Sequence, residues 1–182
     1  MNNVISVGYY TFEGCNNLHT VTFGNNIETI NSCAFRNCTS LTSITLPNSL
    51  VTIKNGAFAN TGLTSITIPN SVTDIGEFTP YRNSSNTSTK VGAFEGCSAL
   101  ASVTLGTGLI NIGNYTFGGC PISGITIPSS VKKIGLGAFH SCTSLTSIII
   151  PNSVEYLGKT DYAYINSTYN YELGVFQGCS NL

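Results

Sequence analysis

The chain has 182 residues, of which 41% are hydrophobic and only 8% charged, with a formal net charge of −1; at roughly 100–200 residues per domain this is one domain with room for a real core. Serine, threonine and asparagine number 21, 23 and 20, or 64 of 182, so small neutral groups rather than charges solvate the surface. The balance argues against a nucleic-acid partner held through phosphate neutralisation, and no apolar run approaches the ~20 residues of a membrane span, so no membrane insertion by this segment is expected.

In chain order the elements repeat. Val4-x-x-Val7-Gly8 comes first. Leu18-x-x-Val21-x-Phe23-Gly24-x-x-Ile27-x-x-Ile30 is a loose full unit, and Leu41-x-x-Ile44-x-Leu46-Pro47, continued by Leu50-x-x-Ile53 and Ala57-Phe58, is a closer one. Leu63-x-x-Ile66-x-Ile68-Pro69-x-x-Val72-x-x-Ile75 follows, then Leu100 to Ile112 with Gly106 at the proline position. Ile122 to Ile134 and Leu145 to Leu157 complete the series. Phenylalanines at 12, 35, 58, 94, 117, 139 and 176 keep the same phase; their spacing is 22 or 23 residues except for 36 and 37, which are 22 + 14 and 23 + 14.

Leu-x-x-Ile-x-Ile ends in the period-2 alternation of a short strand, and Pro or Gly stops it. Val-x-x-Ile reads as an inward-facing return arm, and Gly-x-Ala-Phe-x-x-Cys as a bend filled by Phe and Cys. One unit cannot bury this apolar set; stacked units can, one rung every ~4.8 Å, through parallel strand pairing. The expected fold is a β-rich solenoid of about six units, with one continuous parallel sheet built from the Leu-x-x-Ile-x-Ile segments and little helix. Its core would be columns of like on like.

The unit Leu-x-x-Ile-x-Ile-Pro-x-Ser-Val-x-x-Ile-Gly-x-x-Ala-Phe-x-x-Cys resembles the BspA-like class of leucine-rich repeats, across essentially all of the chain. The resemblance implies a right-handed leucine-rich repeat solenoid at a cell surface or secreted, used for adhesion or protein binding and not for catalysis. Thr61 departs from the pattern at a Cys position, and Gly24 and Gly106 at Pro positions. The expected organisation is a single array over 1–182, uncapped at both ends as in an excerpt from a longer array, to which end-to-end self-association is open. Two 14-residue insertions, at about 77–91 and 159–173, interrupt it.

Candidate chemistry is sparse. Cys15, Cys38, Cys97, Cys120, Cys142 and Cys179 each fall three residues after the repeat Phe, which reads as a buried column of free thiols, with their Cβ atoms pointing the same way rather than at each other. A ladder of one Cys per rung does not converge on a metal. His19 and His140 lie about five rungs apart, and no paired carboxylates, phosphate loop or Ser–His arrangement stands out. No enzyme, catalytic residue, metal or cofactor is expected. Outward positions of the Leu-x-x-Ile-x-Ile segments form a Thr column (22, 45, 67, 104, 126, then Ile149) and a column of Thr20, Ser43, Ser65, Ser102, Gly124 and Ser147. Threonine ladders suit strands and lack the residue types of binding hot spots. Asn-x-Ser/Thr sequons begin at Asn37, Asn83, Asn86, Asn114 and Asn166.

Aromatic character concentrates in the insertions. They hold Tyr81, Tyr162, Tyr164, Tyr169 and Tyr171, five of nine tyrosines, and Arg82, one of two arginines. They enter at the same phase, three rungs or about 14 Å apart. With Ile165–Thr168 as a turn, the second reads as a hairpin presenting four tyrosines. These six residues are the candidate partner-binding set, because Tyr and Arg dominate hot spots. The expected function is a surface adhesion or interaction module engaging a protein or glycan at a cell surface or matrix. Two alternatives stand beside it: a passive spacer presenting other domains, and carbohydrate binding.

Overall fold

A computed structural model describes residues 3–77, 91–158 and 174–182. Eleven strands of two or three residues alternate with tight turns, and no helix occurs among the described residues. They are β1 (Ser6–Val7), β2 (Thr29–Ile30), β3 (Thr52–Ile53), β4 (Ser65–Thr67), β5 (Asp74–Ile75), β6 (Ser102–Thr104), β7 (Asn111–Ile112), β8 (Ile125–Thr126), β9 (Lys133–Ile134), β10 (Ile148–Ile149) and β11 (Tyr156–Leu157). The result is a parallel-strand solenoid of about six turns, as the repeat predicts.

The position of the continuous sheet corrects the sequence reading. The seven-stranded parallel sheet runs β1-β2-β3-β5-β7-β9-β11, which is the return arm, and the Leu-x-x-Ile-x-Ile segments form only the pairs β4–β6 and β8–β10. Two backbone bonds recur at each step of the arm: Val51 N–H to Glu28 O at 2.8 Å and Lys54 N–H to Ile30 O at 2.9 Å set the pattern, and Glu155 N–H to Lys132 O with Gly158 N–H to Ile134 O repeat it at the far end. The Leu-x-x-Ile-x-Ile side is cut short because Pro47, Pro69, Pro128 and Pro151 follow it and offer no N–H to a neighbouring rung.

Register places like on like. Val7, Ile30, Ile53, Ile75, Ile112, Ile134 and Leu157 are successive partners along the arm. The bend carries a second ladder, in which Phe35 N–H meets Ala57 O and Phe117 N–H meets Ala138 O, both at 2.8 Å. It stacks Phe12, Phe35, Phe58, Phe94, Phe117, Phe139 and Phe176 with ring centroids 5.1–5.7 Å apart, the separation that offset aromatic stacks favour. The five middle rings are fully buried.

All seven cysteines are free; five are buried, Cys179 is half-buried and Cys15 is exposed. The repeated thiols have a specific partner. Cys38, Cys97, Cys120, Cys142 and Cys179 each donate Sγ–H to the carbonyl of the Phe one rung before, at 3.0–3.2 Å. Thr61, in the same column, turns its hydroxyl to its own rung's Phe58 O at 2.9 Å and meets Cys97 Sγ at 3.2 Å.

Candidate functional site

Tyr81, Arg82, Tyr162, Tyr164, Tyr169 and Tyr171, and the expected hairpin, lie outside the described residues. The stations where the array releases and recovers the chain are described, and the two are built alike. Release comes at the end of the return arm. Gly76 and Gly158 stand there with φ of 74° and 67°, a conformation that disfavours any side chain. Asn55 Oδ1 accepts the Glu77 N–H at 2.9 Å, and Lys54 pairs with the Glu77 carboxylate at 3.1 Å. Recovery comes at Gly92 and Gly174, whose N–H groups are taken by the side chains three residues on, Glu95 Oε2 at 2.7 Å and Gln177 Oε1 at 3.2 Å. This is one half of the side-chain exchange that caps helix starts, the glycines having no side chain to return the bond, and here it closes a loop.

The return arm also presents a face that the sequence reading passed over. Its two x positions point outward. One column runs Glu28, Val51, Thr73, Ile110, Lys132, Glu155 and the other Thr29, Thr52, Asp74, Asn111, Lys133, Tyr156. Val51 and Ile110 are exposed. Asp74 accepts from Thr73 Oγ1 and Asn111 Nδ2, both at 2.6 Å. Lys132 pairs with Glu155 at 3.0 Å, and the Lys133 ammonium sits 6.0 Å from the Tyr156 ring centre. Charged, aromatic and aliphatic residues thus share the flank from which both insertions depart. The signal was in the Val-x-x-Ile spacing, whose middle positions cannot both face inward.

On the bend, three rungs are tied by one cluster. His140 Nε2 lies 3.3 Å from Glu95 Oε1, two rungs away. It crosses over Gly118, where a Cβ would sit 2.1 Å from that nitrogen. The Tyr115 ring meets the His140 ring edge-on at 5.7 Å and crosses Gly137 in turn. Burial first, and then the Glu95 charge, push the Tyr115 phenol up. The sequence reading found no Ser–His arrangement, yet Ser141 Oγ lies 3.4 Å from His140 Nδ1. The row Ser141–His140–Glu95 lacks what acyl transfer needs: the Ser141 N–H is taken by Gln177 O at 2.7 Å and the Cys142 N–H by Phe139 O at 3.3 Å, so neither can stabilise an oxyanion.

The thiols are equally committed. Burial dominates in holding Cys97 and Cys120 protonated, and it pushes Cys142 up to about 12; neutral buried thiols are poor nucleophiles and poor ligands. No group of three or more potential ligands gathers among the described residues. Of the described sequons, Asn114 is spent on structure: its Oδ1 holds the Leu136 N–H at 2.9 Å, and Thr116 is buried and bonded to Gly113 O. Asn37 accepts from Asn60 Nδ2 at 3.0 Å.

The profile of the BspA type leucine rich repeat region matches this chain in six copies, over residues 1–87 and 81–182. None of the curated proteins matches it in sequence. A leucine-rich repeat protein from Bacteroides ovatus is similar over 100% of this chain and 52% of its own, with 26% identity and a TM-score of 0.74. The T. pallidum leucine rich repeat protein is 26% identical over 84% of this chain and 66% of its own, with a TM-score of 0.65. The pneumococcal vaccine antigen PcpA, 21% identical over 88% of this chain and 35% of its own with a TM-score of 0.53, shares the fold. The chain therefore spans about half the length of the Bacteroides protein.

Proposed function

We propose that this chain, which belongs to the BspA-type leucine-rich repeat family, is a non-catalytic interaction module working at a cell surface or in secreted form, and that it engages its partner through the insertions at 77–91 and 159–173. One observation carries this reading: both insertions leave from equivalent stations on one continuous seven-stranded ladder, three strand steps or about 14 Å apart. A rigid platform that projects two Tyr-bearing segments from one flank suits a partner with an extended contact surface. Tyr81, Arg82, Tyr162, Tyr164, Tyr169 and Tyr171 are the residues proposed to contact it. The charged and aromatic outer columns of the return arm, continuous with both stations, would widen the contact, and a protein partner suits them better than a glycan.

The opposing reading, a passive spacer, draws on the neutral Ser/Thr columns of the other face. The test is deletion of each insertion back to repeat length, joining Glu77 to Gly92 and Lys159 to Gly174. Circular dichroism should report an intact solenoid, since core columns on either side rejoin in register. Attachment of the purified chain to host-cell and extracellular-matrix surfaces should fall with each deletion. Full attachment by a folded double deletion would exclude the insertions.

A further inference from the structure

The column that follows the repeat Phe carries Glu13 and Arg36 near its start and Glu95, Gly118 and His140 in successive rungs further along. Arg36 Nε closes on Glu13 Oε1 to 2.6 Å across one rung step. His140 Nε2 stops 3.3 Å from Glu95 Oε1 across two. That is wider than a charge-assisted N–H···O bond, about 2.7–2.9 Å. It is the separation of two ligands on one tetrahedral metal, where bonds of about 2.0–2.1 Å hold neighbouring donors about 3.3–3.4 Å apart. Both donors are held from behind. Glu95 Oε2 accepts the Gly92 N–H at 2.7 Å, which fixes the carboxylate and leaves Oε1 to face His140. Ser141 Oγ, 3.4 Å from His140 Nδ1, can take the proton there, in the tautomer that turns the Nε2 lone pair toward Glu95. The Tyr115 ring braces the imidazole edge-on at 5.7 Å. Outer partners of this kind orient the ligands of metal sites. Gly118 supplies the room: the three atoms nearest a Cβ built there all belong to the His140 ring, Nε2 at 2.1 Å.

We propose that His140 Nε2 and Glu95 Oε1 form a two-ligand site for a borderline divalent cation of the Zn²⁺ class, with water in its remaining positions, and that the ion clips three rungs of the bend together. The donor set selects the cation. One imidazole and one carboxylate suit Zn²⁺, whereas Ca²⁺ and Mg²⁺ sites are built from oxygen. No third His, Cys, Asp or Glu joins the pair among the described residues, so the ion is exchangeable, unlike one in a closed structural site. Glu95 and His140 are both half-buried, which leaves their donor atoms within reach of solvent. The site draws on no residue of the insertions, so it stands or falls independently of the function proposed above.

The test uses the full chain, isotope-labelled for NMR and carrying Cys15→Ser to remove the exposed thiol. Zinc chloride is the probe, and the imidazole nitrogens of the two histidines are the readout, with His19 as the internal control. The Nε2 signal of His140 should move saturably at submillimolar Zn²⁺, and magnesium chloride should leave it in place. Glu95→Gln keeps an oxygen for the Gly92 N–H and removes the anionic ligand. Gly118→Ala keeps both donors and displaces the ring that has to reach across. Each should weaken Zn²⁺ at His140 by about tenfold or more, the scale on which metal sites sense lost support, while unchanged amide spectra in the remaining rungs show that the chain is folded. The proposal is overturned by the absence of a saturable response at His140, by a His19 response of equal affinity, or by undiminished binding in either folded variant.

Discussion

Phe94→Ala is the sharpest probe of the core. The Phe94 ring is fully buried and lies 5.3 Å from Phe58 and 5.6 Å from Phe117, stacked on both faces. Its removal deletes the transfer term and leaves a cavity that neighbours cannot close, because the rung spacing is fixed by backbone bonds on both ladders. Fully buried Phe→Ala changes cost about 3–5 kcal/mol, and each lost stack adds toward the upper part of that range. Phe12 provides the contrast. It is half-buried and stacks on Phe35 at 5.1 Å, so Phe12→Ala should cost roughly half as much. Urea unfolding gives both magnitudes. Native-state hydrogen exchange locates them: amides of the rungs flanking residue 94 should lose protection first, because apart from the His140–Glu95 contact each unit packs on its immediate neighbours. A loss below about 1 kcal/mol for Phe94→Ala, or equal acceleration along the whole chain, would refute a column of rings as the continuous core.

Other expectations concern single groups. Cys142 holds its proton to about 12 in the folded chain against an ordinary value of 9.0. Its contribution is therefore complete below pH 9 and declines as pH rises from 9 toward 12, where the unfolded thiol ionises and the folded one does not; Cys142→Ser should flatten that alkaline loss in a pH series of urea midpoints. Native alkylation at pH 8 should modify exposed Cys15 and spare Cys97, Cys120 and Cys142, with seven thiols reacting after denaturation. Gly92→Ala should destabilise by about 2–3 kcal/mol, since its Cβ would sit 1.8 Å from the Tyr115 carbonyl oxygen; a near-neutral thermal melt would contradict that geometry.

Periodicity made the core legible. Each inward position of the 22–23-residue unit found its like one rung away, and the Phe and Cys columns stand where the spacing puts them. Strand placement was harder to read. Leu-x-x-Ile-x-Ile has the stronger β pattern, yet its ladder breaks between β6 and β8 while the return arm's runs unbroken, because side-chain alternation does not report which backbone groups meet the next rung. The charged flank was missed because Val-x-x-Ile was read for its two buried residues and not for the pair between them. The His140–Glu95 contact joins residues 45 apart in sequence, and no local pattern announces it. Its only trace was Gly118, a residue without a side chain in the column that separates them.

That trace belongs to a wider rule for arrays in which every side chain lies beneath its own kind. Substitution within a column changes what one rung presents, whereas glycine changes what its neighbours can reach. At Gly118 the freed space is taken by His140, and at Gly137 by the Tyr115 ring, 2.8 Å from where a Cβ would be. Both absences are filled from within, and both fasten rungs together. Gly124 differs: nothing in the chain comes within 4 Å of its Cβ position. Gly124 stands just before β8 and leaves no side chain to cover the rung beneath. Where the fold gains no internal contact in return, the glycine leaves the outer face of its rung uncovered, beside an Ile149 that stands 83% exposed.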